Sequence, residues 1–425
     1  MNILKIIIPA ATVLILNACS HDRVERVNFD DFKGSPDPSV FQATRVTSDN
    51  LDTDIDCPLP FGGTLSEIEG AQPSGPQTKT TSITAIGLVR ELLDNNMCNR
   101  VHSVAGTYMS VDQDGKPVQL SGKIILPITK EIKNIIVVSH FTVGANFECP
   151  SESFQMEGML AGLGYAMIFP DYLGFGVSKD RVHPYLVADV TARNVVDMLR
   201  ACIPYLKQIG KAPKSDEIFL MGYSQGGATT IAVQRYLETR CYGEFKIRRV
   251  FAGGGPYDIA ATYDKLIEQD RTSIPYCVPM IIQGMNEGHR LGLDYKDFFA
   301  GPMLDHYDEW LNSKKYTLKQ ISNLVGSDRM SEVLTEDGRQ KRSPGTLELY
   351  RAMLLNSVDE DWSPIAPVYM FHSQDDSFVP FLNSQNARNL FHESNIEYNF
   401  GHYGDHQMGA VRFIFTVQTL LKKEK

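Results

Sequence analysis

Short apolar runs alternate with longer segments of helical periodicity along most of the chain. The plainest run is Ile135–Ser139, whose β-branched residues are typical of a central parallel strand buried on both faces. Further strands are predicted at 101–110, 118–127, 165–169, 249–253, 368–371 and 398–400. Helices are predicted at 157–163, 186–209, 228–237, 383–391 and 409–421. The alternation predicts an α/β fold, with a mostly parallel central sheet, right-handed crossovers and flanking helices.

The alternation breaks between residues 261 and 362. The pattern there is helical and mixed, and it is interrupted by four prolines, Pro275, Pro279, Pro302 and Pro344. Regular strand and helix signals then resume. We therefore predict a core in two parts, 76–260 and 363–425, with a helical cap or lid of 261–362 inserted between them. Within the core, Pro204 is expected to kink or shorten the helix at 186–209.

The N-terminus has the pattern of a targeting signal. An apolar stretch at 6–16 follows one positive charge and is too short for a stable transmembrane helix. It ends in Leu16-Asn17-Ala18-Cys19, which resembles the cleavage box of bacterial lipoproteins. The resemblance implies a signal peptide at 1–18 and lipidation of Cys19, and Ser20 is typical of sorting to the outer membrane. An ordinary cleaved signal with a chance cysteine is the alternative.

The segment after this signal is polar. Residues 19–75 are rich in Asp, Pro, Ser and Gly, which predicts a tether and an N-terminal extension with loosely structured packing. Apolar residues at helical spacing then predict an amphipathic helix at 83–93.

Composition excludes some classes of function. The 425 residues carry a net charge of −10, which argues against a nucleic-acid partner because phosphate binding needs clustered Lys and Arg. No stretch beyond the N-terminal signal is long and apolar enough to span a bilayer. Apart from Cys19 there are six cysteines, an even number that permits disulfides but equally suits buried thiols: Cys57, Cys98, Cys149, Cys202, Cys241 and Cys277. None has C-x-x-C spacing, so no metal site is predicted.

The most informative motif is Gly222-Tyr223-Ser224-Gln225-Gly226, which lies between an apolar run and the helix at 228–237. G-x-S-x-G in this setting is typical of a sharp strand-to-helix turn that exposes a serine nucleophile at the sheet edge. Glycines are required there because strand and helix approach closely. The backbone N–H of Gln225 begins the helix, where free donors and the helix dipole stabilise an oxyanion.

A serine nucleophile needs a base and an acid that orients the base. After the strand at 368–371 come two adjacent acids, and we prefer Asp376 over Asp375 from the pattern of the loop. Two histidines lie before the last helix, and we prefer His406 over His402 because it is nearer the helix start.

The second oxyanion donor is expected in the loop after Ile135–Ser139. His140-Phe141-Thr142 occupies that loop, and we nominate the backbone N–H of Thr142, with Phe141 as second choice. Asp171 is expected to shape a neighbouring loop, and His372 to pack under the loop that carries the acid.

These motifs resemble the α/β-hydrolase superfamily and, within it, the secretory lipase and esterase branch. Besides the serine motif, Asp171-Tyr172-Leu173-Gly174-Phe175-Gly176, His183-Pro184-Tyr185-Leu186 and the stretch 372–380 carry the resemblance, which covers about residues 107–425. Phe141 departs from it, since many relatives have glycine there. The resemblance implies an extracytoplasmic enzyme that cleaves small-molecule or lipid esters with a Ser224–His406–Asp376 triad and needs no cofactor.

Two other functions stay open at this point. A related triad on this fold cleaves peptides in prolyl-oligopeptidase-like enzymes, although those carry a propeller domain for which the first hundred residues here are too short and polar. Alternatively, the chain is an inactive surface-binding lipoprotein that kept the hydrolase shape.

Overall fold

The computed structural model describes residues 24–32, 101–127, 131–391 and 395–424. Several predictions therefore lie outside the described residues: the signal peptide, Cys19, the helix at 83–93, and Cys57 and Cys98.

The described residues contain nine strands that form one sheet: β1 (Val24–Asn28), β2 (Val101–Val111), β3 (Pro117–Pro127), β4 (Ile135–Ser139), β5 (Ala166–Pro170), β6 (Glu217–Tyr223), β7 (Lys246–Gly253), β8 (Val368–Ser373) and β9 (Ile396–Gly401). Their spatial order is β1-β2-β3-β5-β4-β6-β7-β8-β9. β3 runs antiparallel to both of its neighbours, and every other neighbouring pair is parallel. Each strand predicted from the alternation is present, with ends shifted by at most three residues.

The register of the parallel strands brings four loops to one edge of the sheet. Ser139 at the end of β4 pairs with Gly222 in β6, and Ser373 at the end of β8 pairs with Gly401 in β9. Because parallel strands share a direction, the loops that follow β4, β6, β8 and β9 emerge at the same carboxyl edge. This is the edge at which open α/β sheets bind ligands.

Eleven α-helices lie in the described residues: α1 (Ala188–Gln208), α2 (Gln225–Thr239), α3 (Ile259–Gln269), α4 (Cys277–His289), α5 (Gly301–Tyr307), α6 (Leu318–Val325), α7 (Met330–Val333), α8 (Glu336–Arg339), α9 (Pro344–Asn356), α10 (Leu382–Leu390) and α11 (His406–Lys423). The predicted helix at 157–163 is instead a 3₁₀ helix, Met156–Leu163, that ends at Gly164 with φ 99°. A π segment, Asp308–Asn312, follows α5 directly.

The sheet has a separate apolar layer on each face. Alternate residues of β4 point into different layers. Ile135 and Val137 pack in the layer that contains α1 and α2. Ile136 and Val138 pack in the layer that contains Met156–Leu163 and α11. Both faces of the strand are therefore covered, which explains its unbroken apolar sequence. The α1 helix continues through Pro204 and ends only four residues later, so the proline does not stop it.

Helices α3 to α9 lie between β7 and β8, in the region predicted as an insertion. Pro302 and Pro344 stand in the first turns of α5 and α9, where proline loses no helical hydrogen bond. The insertion contacts the core closely. A Cβ added to Gly284 would lie 2.3 Å from the carbonyl oxygen of Tyr185, and the Asn146 N–H donates to the Lys314 carbonyl at 2.8 Å.

The N-terminal prediction was incomplete. Residues from 19 onwards were expected to form a loosely structured tether, but Val24–Asn28 pairs with β2 as an edge strand. Phe29 and Phe32 are buried, with ring centroids 5.4 and 4.8 Å from that of Tyr205. The five-residue strand has no apolar alternation, and Phe29 and Phe32 contact a ring about 175 residues away in sequence. No local pattern therefore predicts the strand.

The four described cysteines, Cys149, Cys202, Cys241 and Cys277, are free thiols. None of the described helices has enough length and apolar character to cross a bilayer.

Candidate active site

The serine motif forms a strained turn between β6 and α2. Ser224 has φ 60° and ψ −127°, a backbone conformation that residues other than glycine rarely adopt. A Cβ added at Gly222 would lie 2.2 Å from the Gly226 carbonyl oxygen, and one added at Gly226 would lie 2.0 Å from that of Ser139. Only glycine fits at either position. The Ser224 N–H donates to the Gly253 carbonyl at 2.9 Å, which fixes the turn against β7.

The Ser224 side chain is fully buried, and its Oγ has no hydrogen-bond partner among the described residues. Other buried hydroxyls of the described residues also have no partner, such as those of Ser103 and Thr230, but Ser224 combines this with a strained backbone, which makes it a candidate for a functional role.

His406 and Asp376 form a buried pair beside this turn. The imidazole Nδ1 lies 2.5 Å from the Asp376 Oδ2, and neither side chain is exposed. The structure makes His406 the first residue of α11 rather than a loop residue, because Asp405 caps the helix by accepting from the Met408 N–H at 2.9 Å. The Tyr223 hydroxyl donates to the His406 carbonyl at 2.9 Å, and the two rings are 4.9 Å apart. Tyr223 thus ties His406 to the residue beside Ser224.

The loop after β8 holds the Asp376 carboxylate in place. Its Oδ1 accepts from the backbone N–H groups of Phe378 and Val379, each at 2.9 Å. Its Oδ2 lies 3.4 Å from His372 Nε2, and the His372 Nδ1 is 2.6 Å from the Ser384 Oγ, so His372 packs under this loop. Burial raises the pKa of Asp376, but the nearby charge of His406 and hydrogen bonds from both histidines outweigh it and lower that pKa below its usual value. The carboxylate therefore stays ionised at neutral pH.

The two alternative residues pair with each other elsewhere. His402 Nδ1 lies 2.8 Å from Asp375 Oδ1, and their side chains are 75% and 46% exposed. The two adjacent carboxylates thus pair with different histidines, Asp375 with His402 at the surface and Asp376 with His406 in the interior.

The side chains of the two oxyanion candidates are held by one segment. Gln225 is the first residue of α2, where backbone N–H groups have no intrahelical acceptor, and its Nε2 lies 2.9 Å from the His183 Nε2. Thr142 is buried, and its Oγ1 lies 3.0 Å from the Tyr185 hydroxyl. We call His183 and Tyr185 the 183–185 segment. In the sequence this segment stands out only by its family resemblance, because its partners are about 40 residues distant and no local pattern indicates the contacts.

The hydrogen bonds of His183 define its tautomer. The Leu173 carbonyl, 2.7 Å from Nδ1, can only accept, so Nδ1 carries the proton and Nε2 accepts from the Gln225 amide. Burial, together with the positive charge of Lys314, lowers the pKa of His183 to about 3. The neutral imidazole therefore holds Gln225 throughout the physiological range.

Replacing His183 by glutamine is expected to reduce the loss of stability in acid. The folded-state pKa of about 3 is lower than the ordinary value of about 6.5 in an unfolded chain. The unfolded state therefore binds more protons between these values, and stability falls as pH falls through this window. One such group changes the free energy of unfolding by about 1.4 kcal/mol per pH unit. Thermal unfolding at pH 7 and pH 5 measures the effect, and the half-exposed His306→Gln is the control. Equal acid losses in wild type and His183→Gln would contradict the prediction.

Two acids brace the neighbouring loops. The Glu148 Oε2 accepts from the N–H groups of Gly144 and Ala145 at 3.1 and 2.9 Å, which holds the loop after Thr142. Asp171 accepts from the Ser121 hydroxyl at 2.6 Å and from the Ser151 N–H at 2.8 Å. Its carboxylate therefore shapes the loop after β5. Among the described residues, no group of three or more His, Cys, Asp or Glu side chains is arranged to hold a metal ion.

Comparisons with known proteins agree with the fold. The family model for secretory lipases matches residues 150–412. A search of curated protein sequences found no match.

Solved structures superpose over most of the chain. A candidate hydrolase from Legionella pneumophila is 19% identical, with a TM-score of 0.69 and coverage of 81% of this chain and 95% of its own. The rice cell wall degrading esterase LipA from Xanthomonas oryzae is 20% identical, with a TM-score of 0.65 and coverage of 76% and 89%. Candida antarctica lipase A in its closed state is 14% identical, with a TM-score of 0.57 and coverage of 77% and 80%. At these identities the likeness shows the fold, and the predicted α/β-hydrolase fold is confirmed.

Proposed function

Because the chain belongs to the secretory lipase family, we propose that it is a serine hydrolase of carboxylic esters that acts through Ser224, His406 and Asp376. The observation that carries the proposal is the buried hydrogen bond between His406 and Asp376, which Tyr223 ties to the strained turn of Ser224. Ser224, Asp376 and His406 follow β6, β8 and β9 at the carboxyl edge of the sheet, in the order of nucleophile, acid and base along the chain that is typical of this fold.

The reaction proceeds through an acyl-enzyme. The Nδ1 of His406 is bonded to Asp376, which leaves Nε2 to take the proton of the Ser224 hydroxyl as Oγ attacks the ester carbonyl. The ionised Asp376 fixes the tautomer and stabilises the imidazolium. His406 then gives the proton to the leaving alcohol as the ester C–O bond breaks. The same imidazole takes a proton from a water molecule that attacks the acyl carbonyl, and it returns this proton to the Ser224 Oγ as the acid leaves.

The oxyanion of each tetrahedral intermediate accepts hydrogen bonds from the backbone N–H groups of Gln225 and Thr142. The start of α2 supports the first assignment, since its dipole and free N–H groups favour negative charge. The hydrogen bonds of the 183–185 segment support both, because they limit movement of these residues' side chains.

We further propose that the helices between β7 and β8 act as a cap that limits the length of the acyl group. We also propose that the enzyme works outside the cytoplasm. The family is one of secretory lipases, which agrees with an extracytoplasmic location. Attachment to the outer membrane through a lipid on Cys19 is the finer part of this proposal, and it is supported by the lipoprotein-like cleavage box.

A fluorophosphonate probe tests the proposal, because it forms an adduct with an activated serine. The expected result is an adduct on Ser224, located by peptide mass spectrometry, together with hydrolysis of p-nitrophenyl esters and not of aminoacyl anilides. Faster cleavage of the anilides would indicate a peptidase. A folded protein that neither reacts with the probe nor cleaves an ester would be an inactive binding protein.

A further inference from the structure

One buried cation near the site takes no part in the proposed reaction. Lys314 follows the π segment Asp308–Asn312, and it is only 7% exposed. Its ammonium donates to the Leu311 carbonyl at 2.8 Å and lies 4.8 Å from the centroid of the Phe175 ring. No carboxylate oxygen of the described residues lies within 4.0 Å of the Lys314 nitrogen, so the ammonium forms no ion pair with them. An ammonium has three donors, so this one is only partly satisfied.

Lys314 adjoins the loops that form the site. Its own carbonyl accepts from the N–H of Asn146, in the loop that contains Thr142. The Phe175 ring beneath the ammonium belongs to a small apolar cluster with Phe141, Val143 and Cys149. The same ring lies 5.1 Å from the ring of His183, whose Nε2 is bonded to Gln225. The cation is therefore on the side of the site that holds the oxyanion.

A buried ammonium without an anion is costly to the fold, and removing water from it lowers the pKa of Lys314 to about 7. Lysines in such surroundings are frequent at functional sites. A bound carboxylate would supply the missing hydrogen-bond acceptors and favour the charged form. A lysine that serves only solubility would be exposed to water, as many lysines of this chain are. The burial of Lys314 therefore needs another explanation.

We propose that Lys314 binds a carboxylate at the far end of the substrate's acyl chain, so that the enzyme prefers esters of dicarboxylic acids to esters of simple fatty acids. The inference rests on the proposed function, and it concerns the acyl part because the acyl group stays on Ser224 beside the oxyanion loop after the alcohol has left. The carboxylate forms a charged hydrogen bond with the ammonium, and no covalent bond changes there.

The test compares paired esters of equal chain length: p-nitrophenyl butyrate with the p-nitrophenyl monoester of succinate, and the octanoate with the monoester of suberate. Wild type, Lys314→Met, and the control Lys315→Met, which removes the exposed neighbouring lysine, are each assayed. The expected result is that the ratio of kcat/KM for charged over neutral ester falls at least tenfold in Lys314→Met, mainly through KM, for one or both pairs. The ratio in Lys315→Met stays close to that of wild type.

Wild type alone also decides the question if Lys314→Met does not fold. Its ratio for at least one pair should exceed the ratio for uncatalysed alkaline hydrolysis of the same two esters, and a ratio no higher for either pair overturns the proposal. An unchanged ratio in folded Lys314→Met overturns it as well. In both cases hydrolysis of the neutral ester by wild type, and its absence in Ser224→Ala, would leave the proposed function standing. Hydrolysis of neither ester would overturn both proposals.

Discussion

Replacing Ser224 by alanine is expected to lower kcat for p-nitrophenyl butyrate by at least about 10⁴-fold. The variant lacks the oxygen that forms the acyl-enzyme, and only substrate binding and the oxyanion donors are left to assist direct attack by water. KM should change far less than kcat, because the hydroxyl contributes little to binding the neutral ester. Initial rates, corrected for hydrolysis in the absence of enzyme, measure the loss.

A matched control separates chemistry from folding. Ser110 is also a buried serine, but its hydroxyl donates to Asp197 at 2.7 Å, and Ser110→Ala should keep kcat near the wild-type value. Alanine at residue 224 has the same Cβ and meets the same backbone strain as serine, so the unfolding temperature should change little. A Ser224→Ala protein with a tenth of wild-type activity would exclude Ser224 as the nucleophile.

Asp376→Asn is expected to cost about 10⁴-fold in kcat. An amide that replaces the carboxylate can donate to the Nδ1 of His406, and the proton then moves to Nε2, where the base must be free. It also removes the negative charge that stabilises the imidazolium. The rate of ester hydrolysis at pH 7 to 9 measures the loss.

The neighbouring acid supplies the control for this experiment. Asp375→Asn breaks only the exposed contact with His402, and exposed pairs of this kind contribute about 1 kcal/mol or less. Its kcat should remain within a few fold of wild type. A result in which Asp375→Asn is the more damaging change would assign the acid to residue 375.

Local sequence patterns were sufficient for the central strands and the serine turn, but not for the edge strand β1 or for the pairing of side chains. The central strands β4 and β5 have unbroken apolar runs. Gly222 is required by its contact with Gly226 four residues away, whereas Gly226 is required by the distant Ser139. The choice between Asp375 and Asp376 depends instead on which way each carboxylate points from one loop, and the backbone N–H groups of Phe378 and Val379 decide it. The sequence preference for Asp376 and His406 is consistent with this geometry, and their catalytic roles stay a proposal.

Contacts between distant segments cannot be predicted from local sequence patterns. The 183–185 segment acts through residues about 40 positions away, and the burial of Lys314 depends on how the inserted helices contact the loop after β4. Hydrophobic periodicity carries no information on either, because polar residues at isolated positions look alike whether they are solvated or enclosed. The edge strand β1 was missed for a related reason, since pairing with β2 and not its own pattern makes it a strand.

The proposed lipid on Cys19 would place the strand β1 close to a bilayer. Cys19 precedes Val24 by five residues, and five residues span at most about 17 Å even when fully extended. With the lipid on Cys19, as proposed, the edge of the sheet at β1 remains within that distance of the headgroups. Rotation about the attachment point would then be restricted by collision of this sheet edge with the membrane.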